Sequence, residues 1–169
     1  MKVLSIDIGY HNMGLVLAEC PMKGPGVVVE FAKRINLEDY KMHSPSNEIA
    51  DLVPLFVEDH QFIFNAAEKI LIERQPPGGF TNTQTLLHYM FRDRVVLVSP
   101  VSLHTHFGMR ELDYDQRKER TESIASKYIE WDIPEGERRH DISDALCMIL
   151  YFNFRAGVHV FDKFRYSSL

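Results

Sequence analysis

The chain has 169 residues and a mass of 19.7 kDa, enough for one domain that buries its own core without covalent staples. Hydrophobic residues make up 45% and charged residues 25%, which excludes disordered, collagen-like and low-complexity classes. The formal charge of −5 argues against a nonspecific nucleic-acid coat protein. The two cysteines, Cys20 and Cys147, sit in no CxxC or Cys/His cluster, so neither a disulfide framework nor a zinc site is expected. No apolar run has the length of a bilayer span, and Asp7 arrives too early for a signal peptide. An intracellular protein, neither secreted nor membrane-bound, is expected.

Residues 3–7 read as a buried strand. A second strand, 13–18, follows the turn at Gly9–Asn12, and a third, 27–33, follows the Pro/Gly cluster at 21–26. Such short connections predict an antiparallel meander. Residues 47–67 read as one helix, with Ile49, Leu52, Val53, Phe56 and Val57 at helical spacing and Pro54 expected to end its first turn or kink it. A short apolar strand, 70–73, ends on Glu73. The loop Pro76-Pro77-Gly78-Gly79 leads to a helix over 81–91, then a strand over 95–98 halted by Pro100. Two helices close the chain, 113–131 with Asp113 as its cap, and 140–154 with Ile142, Ala145, Leu146, Ile149 and Leu150 as its buried face. The order predicts an α/β fold: a mixed five-stranded sheet, three strands as a meander and the rest alternating with helices, flanked by helices. It forms a single domain over 1–169.

Four acids stand where an element ends or begins. Asp7 follows the apolar run of the first strand and Glu73 follows Ile70-Leu71-Ile72, positions where an unpaired charge is expensive to bury. Asp141 and Asp144, three apart at the start of the last helix, point to one side of it. A carboxylate set of this kind suits Mg²⁺, and two ions about 4 Å apart can activate a water and stabilise the leaving oxygen of a phosphodiester. Each acid also has a plain structural alternative. Asp141 and Asp144 favour the positive end of a helix dipole, Asp7 suits a turn cap, and Glu73 can pair with Arg74.

Taken in chain order, Ile6-Asp7-Ile8-Gly9 with Asn12, Ile72-Glu73-Arg74-Gln75-Pro76, Val98-Ser99-Pro100-Val101, Tyr114 with Arg117-Lys118-Glu119-Arg120, and His140-Asp141-Ile142-Ser143-Asp144-Ala145 carry a resemblance. The chain, from residue 3 to about 154, resembles the RuvC-type Holliday junction resolvases of the ribonuclease H-like superfamily. Within that group it is most similar to the poxvirus-type viral resolvases. Mitochondrial fungal resolvases share the first two pieces. The loop Pro76-Pro77-Gly78-Gly79 departs from the poxviral pattern, which has a more basic stretch there.

The resemblance implies a ribonuclease H-like nuclease domain and a homodimer. It also implies paired symmetric nicking of four-way DNA junctions, in recombination or in processing of viral genome concatemers. Two Mg²⁺ ions per site, with Mn²⁺ able to substitute, are implied on Asp7, Glu73, Asp141 and Asp144. The implied location is the host cytoplasm at viral replication sites. Lys118 is the implied basic residue beside the metals, where it stabilises phosphate charge; the alternative is a solvated helix face with a Lys118–Glu122 pair. Arg74, Arg117, Arg120 and Arg139 are candidate DNA contacts. So are Phe80 and Asn82, in the loop and helix start after Glu73, Phe80 as an aromatic that stacks on an opened base or else a core side chain.

Two other classes compete. A nucleotide-binding phosphotransferase lobe of the actin-like or sugar-kinase kind shares the core and its Asp-x-Gly turn, but needs a second lobe to close on ATP. A non-catalytic DNA-binding module has no need of four acids. Phe56, Phe62 and Phe64, together with Tyr151, Phe152 and Phe154, are candidate material for a dimer surface.

Overall fold

The computed structural model describes residues 1–21, 26–130 and 138–165, with side chains to residue 156. Strands β1 (Lys2–Asp7), β2 (Met13–Glu19) and β3 (Val28–Ile35) form the expected meander. A 3₁₀ turn (Leu37–His43) leads into α1 (Ile49–Asp59) and α2 (Gln61–Ala66), followed by β4 (Lys69–Glu73), α3 (Thr81–Met90) and β5 (Val95–Val98). Helices α4 (Pro100–His106), α5 (Tyr114–Ala125) and α6 (Arg139–Arg165) complete the chain. The sheet order is β3-β2-β1-β4-β5, with β1–β2 and β2–β3 antiparallel and β4 parallel to both β1 and β5. The mixed five-stranded sheet predicted from the element order is the one observed.

Strand alternation sorts the core into two layers. Leu4, Ile6, Leu15, Leu17, Ile70 and Ile72 point to one face and pack with Val53, Phe56, Ile63 and Phe64 of α1 and α2 and Leu87 of α3. Val3, Val16, Ala18 and Leu71 point to the other and pack with Ala125 of α5 and Ile142, Ala145, Leu146 and Ile149 of α6. Period-2 geometry therefore commits Asp7 and Glu73 to the α6 face, because they follow Val3 and Leu71 at even spacing.

Several elements differ from the sequence expectation. The helix expected over 47–67 is two helices broken at His60, whose buried ring has Nδ1 3.2 Å from the Phe56 carbonyl. Pro54 lies inside α1 without ending it, since one lost backbone bond in the second turn is outweighed by the buried face of Leu52, Val53, Phe56 and Val57. Pro100 does not merely stop β5. It is the first residue of α4, capped by Ser99, and a proline's missing N–H costs nothing at that position. Helix α5 ends at Ala125, short of the expected 131, and residue 131 lies outside the described residues. The cap is as expected: Asp113 and Gln116 form a reciprocal capping box. Helix α6 runs beyond the expected 154. Among the described residues no helix is long and apolar enough to cross a membrane.

Candidate active site

Ile6 of β1 pairs with Ile72 of β4 in parallel register, so the next residues, Asp7 and Glu73, end neighbouring strands on the same side of the sheet. Helix α6 crosses this side. Its first turn comes close because Gly14 of β2, the cross-strand partner of Asp7, has no side chain: a Cβ there would overlap the Asp141 carbonyl. Gly14 thus sets the approach of α6 and places Asp141 and Asp144 over the end of β1. Gly9 permits the turn from β1 to β2, since a Cβ on it would overlap the Asn12 carbonyl.

Asp7, Glu73 and Asp144 line one cleft of about 180 Å³, together with Lys118, Arg117, Tyr114 and Thr121 of α5 and with His104, Met109 and Met148. Burial holds the Asp7 carboxyl well above the usual carboxylate range, and the charges of Asp144, Glu73 and Asp141 push the same way, while Arg138 opposes them. Burial raises Glu73 as well. Asp144 is pushed up to about 7, by burial first and then by Glu73 and Asp141, with the neighbouring Thr121 hydroxyl and the charge of Lys118 offsetting part of it.

Asp141, also buried, sits beside the cleft and is held by Arg138 through Nε–Oδ2 at 3.1 Å and Nη2–Oδ1 at 3.3 Å. Among the described residues no group of three or more His, Cys, Asp or Glu side chains is gathered closely enough to hold a metal ion as they stand. Gathering all four carboxylates around an ion requires side-chain movement, since Asp141 does not line the cleft with the other three.

Lys118 is in the cleft, with its ammonium 4.0 Å from the centroid of the Tyr114 ring. Glu122, its alternative partner, instead faces His140 Nδ1 at 3.7 Å. Arg117 also lines the cleft, and its guanidinium donates to the Leu112 carbonyl. Arg74, Asn82 and Arg120 are exposed and do not line the cleft, and Arg139 opens α6. Phe80 is not a core residue: it is 43% exposed, at the N-terminus of α3, with its N–H donating to Gln75 Oε1. The sequence reading assigned no role to Gly14, Thr121, His104 or Arg138. Tyr114 did stand in a quoted motif, whereas nothing local marks Gly14.

Carboxylates at the ends of β1 and β4 and on a helix crossing them, on a sheet ordered β3-β2-β1-β4-β5, define a ribonuclease H-like protein. The solved structures it resembles agree on that fold. Thermus thermophilus RuvC matches at 16% identity and TM-score 0.61, covering 94% of this chain and 97% of that one. The fowlpox virus resolvase, solved with substrate Holliday junction DNA, matches at 13% and 0.65, covering 92% and 98%. The yeast mitochondrial Holliday junction resolvase matches at 18% and 0.70, covering 99% and 86%. No curated protein sequence matches the chain. The family model described as Poxvirus A22 protein matches residues 1–155, and the chain belongs to that family. The resemblance to poxvirus-type resolvases stated from the motifs is borne out.

Proposed function

We propose that this chain is a Holliday junction resolvase: a metal-dependent endonuclease that hydrolyses phosphodiesters by paired symmetric nicks in four-way DNA junctions. One observation carries the reading. Three carboxylates from three separate elements, Asp7, Glu73 and Asp144, converge on a single cleft with Lys118 and Arg117 beside them, in a chain of the poxvirus family and the resolvase fold.

The donor set fits a hard divalent cation. Buried carboxylates that burial and mutual repulsion drive toward the neutral form gain most from a cation placed among them. Asp7, Glu73, Asp141 and Asp144 would hold two Mg²⁺, or Mn²⁺ in their place, and the ions supply an activated water and charge stabilisation at the leaving oxygen. Lys118, held at the cleft wall by the Tyr114 ring, offers its ammonium to charge that grows on the phosphate. Thr121, whose hydroxyl donates to the Lys118 carbonyl at 3.1 Å, lines the cleft beside Asp144. Arg117 at the cleft, and Arg74, Arg120 and Arg139 around it, contact the DNA backbone, while exposed Phe80 and Asn82 at the start of α3 reach toward the junction. The protein works as one nuclease domain in a homodimer, in the host cytoplasm where viral DNA is processed.

The experiment is cleavage of a labelled four-way junction beside a linear duplex, with and without Mg²⁺. Asp7→Asn, Glu73→Gln and Asp141→Asn should each slow cleavage by about 10²–10³ while junction binding survives. Undiminished cleavage by Asp7→Asn overturns the metal reading. ATP turnover without junction cleavage would favour the phosphotransferase lobe instead.

A further inference from the structure

Among the described residues, Asp141 is the one proposed ligand in an ion pair with a basic side chain. The pair is asymmetric: the Asp141 side chain is 7% exposed, whereas that of Arg138 is 45% exposed. A buried carboxylate needs a counter-charge, but an exposed guanidinium can return to water at little cost. The pair is also dispensable for the helix. Asp141 lies in the first turn of α6, where the helix dipole already favours an acid.

His140 does not substitute for the arginine. Its Nε2 lies 3.3 Å from Asp141 Oδ1, yet makes no hydrogen bond and is buried. Arg138 also stands near the rest of the site, since its charge is felt by Asp7 and by the tyrosine of the cleft wall, Tyr114. While the fork holds Asp141, this carboxylate does not line the cleft with the other three.

We propose that Arg138 is a displaceable counter-ion: it neutralises Asp141 in the ion-free protein, and passes to a DNA phosphate when a divalent cation takes Asp141. This rests on the reading of the four carboxylates as a metal site. A guanidinium suits both partners, because its planar fork matches carboxylate and phosphate alike. The exchange couples the two ligands. The ion frees the arginine for DNA, and DNA draws the arginine from Asp141, so each raises the affinity for the other by the same factor. Arg138 is therefore a positioning residue that keeps the metal site incomplete until substrate is present.

The test is calorimetric titration of the full chain with Mn²⁺, without DNA, for wild type, Arg138→Ala, Arg138→Gln and Arg138→Lys. Junction affinity is then measured with and without Ca²⁺ as a non-cleaving ion. Arg138→Ala and Arg138→Gln should bind Mn²⁺ about five- to tenfold more tightly than wild type, with Arg138→Lys nearer to wild type. Ca²⁺ should raise junction affinity by a similar factor in wild type and not in Arg138→Gln. Circular dichroism melting of both neutral variants identifies one that is folded for the comparison. Mn²⁺ affinity that is unchanged or weaker in the folded variant overturns the proposal. Asp7→Asn and Glu73→Gln are titrated alongside. If they bind Mn²⁺ as wild type does, the metal reading itself fails. If they lose Mn²⁺ while Arg138→Gln is unchanged, only the exchange fails.

Discussion

Asp144→Asn isolates the cost of the crowded carboxylates. In the ion-free protein the Asp144 carboxyl is pushed from its ordinary 3.8 up to about 7, so the folded chain keeps a proton that the unfolded chain has released. The unfolded state then binds fewer protons, and stability falls as pH rises through the window between about 4 and about 7. At about 1.4 kcal/mol per tenfold in proton affinity, the full displacement amounts to roughly 4 kcal/mol, an upper bound because Asp144 lines an open cleft. Roughly 2.5 kcal/mol of that falls between about pH 5 and pH 8. Asparagine keeps the shape and removes the titration. It also relieves Asp7, whose carboxyl Asp144 pushes upward.

The assay is urea unfolding in EDTA across that pH range. Wild type should lose stability toward alkaline pH, and Asp144→Asn should lose markedly less, ending about 2–4 kcal/mol more stable than wild type near pH 8. Millimolar Mg²⁺ should restore wild type at pH 8 and leave the variant unchanged. Parallel pH profiles for the two proteins, or a variant that is the less stable at pH 8, would refute the claim that these carboxylates repel one another in a desolvated cleft.

Lys118→Ala should slow the chemical step by about a hundredfold while junction affinity changes little, because a cation at the site acts on charge that grows in the transition state. If affinity alone fell, with the salt dependence flattened by about one phosphate contact, Lys118 would be a backbone anchor. Gly14→Ala drives a methyl into the Asp141 carbonyl, so α6 must shift or β2 must bend. A loss of about 1–3 kcal/mol in urea unfolding is expected, with cleavage falling further than binding; unchanged stability and cleavage would show that α6 does not rest on Gly14.

Much of this arrangement was legible because it is written in local pattern. The apolar runs of β1 and β4 put Asp7 and Glu73 at strand ends, and the three-residue spacing put Asp141 and Asp144 on one side of α6; that β1 and β4 are neighbours is a tertiary fact that no local pattern carries. The 3₁₀ turn at Leu37–His43 and the short helix α4 left no comparable period, being held by caps and single buried leucines, Leu37 and Leu103. The break at His60 was hidden for the opposite reason: the apolar pattern runs on through it, while the His60 backbone leaves the helix with its buried ring beside the Phe56 carbonyl. Gly14 and Arg138 were illegible as site residues because each acts through a tertiary approach. Gly14 looks like any strand glycine until α6 lies on it, and Arg138 looks like a surface base until the buried Asp141 turns toward it.

Assembly is the last expectation, and the structure sharpens its test. A four-way junction has approximate two-fold symmetry and needs two cuts in strands of like polarity, yet the described residues of a chain form one cleft with this carboxylate set. A closed two-fold dimer supplies two clefts related by the symmetry of the substrate. Of the aromatics considered for the interface, Phe56 and Phe64 are consumed by the core. Phe62 and Phe154 remain 60% and 54% exposed. They belong to opposite layers: Phe62 on α2 packs its ring against Phe31 of the edge strand β3, and Phe154 on α6 packs against His106 of α4. An isologous interface centred on one of them leaves the other in solvent. Light scattering at micromolar concentration, with and without junction DNA, should give a protein mass of twice 19.7 kDa. Phe62→Ser and Phe154→Ser should separate the two faces, only one of them returning the mass to that of a single chain. A monomer under both conditions that still makes both nicks in one binding event would defeat the two-fold argument, because a single cleft would then be serving both strands.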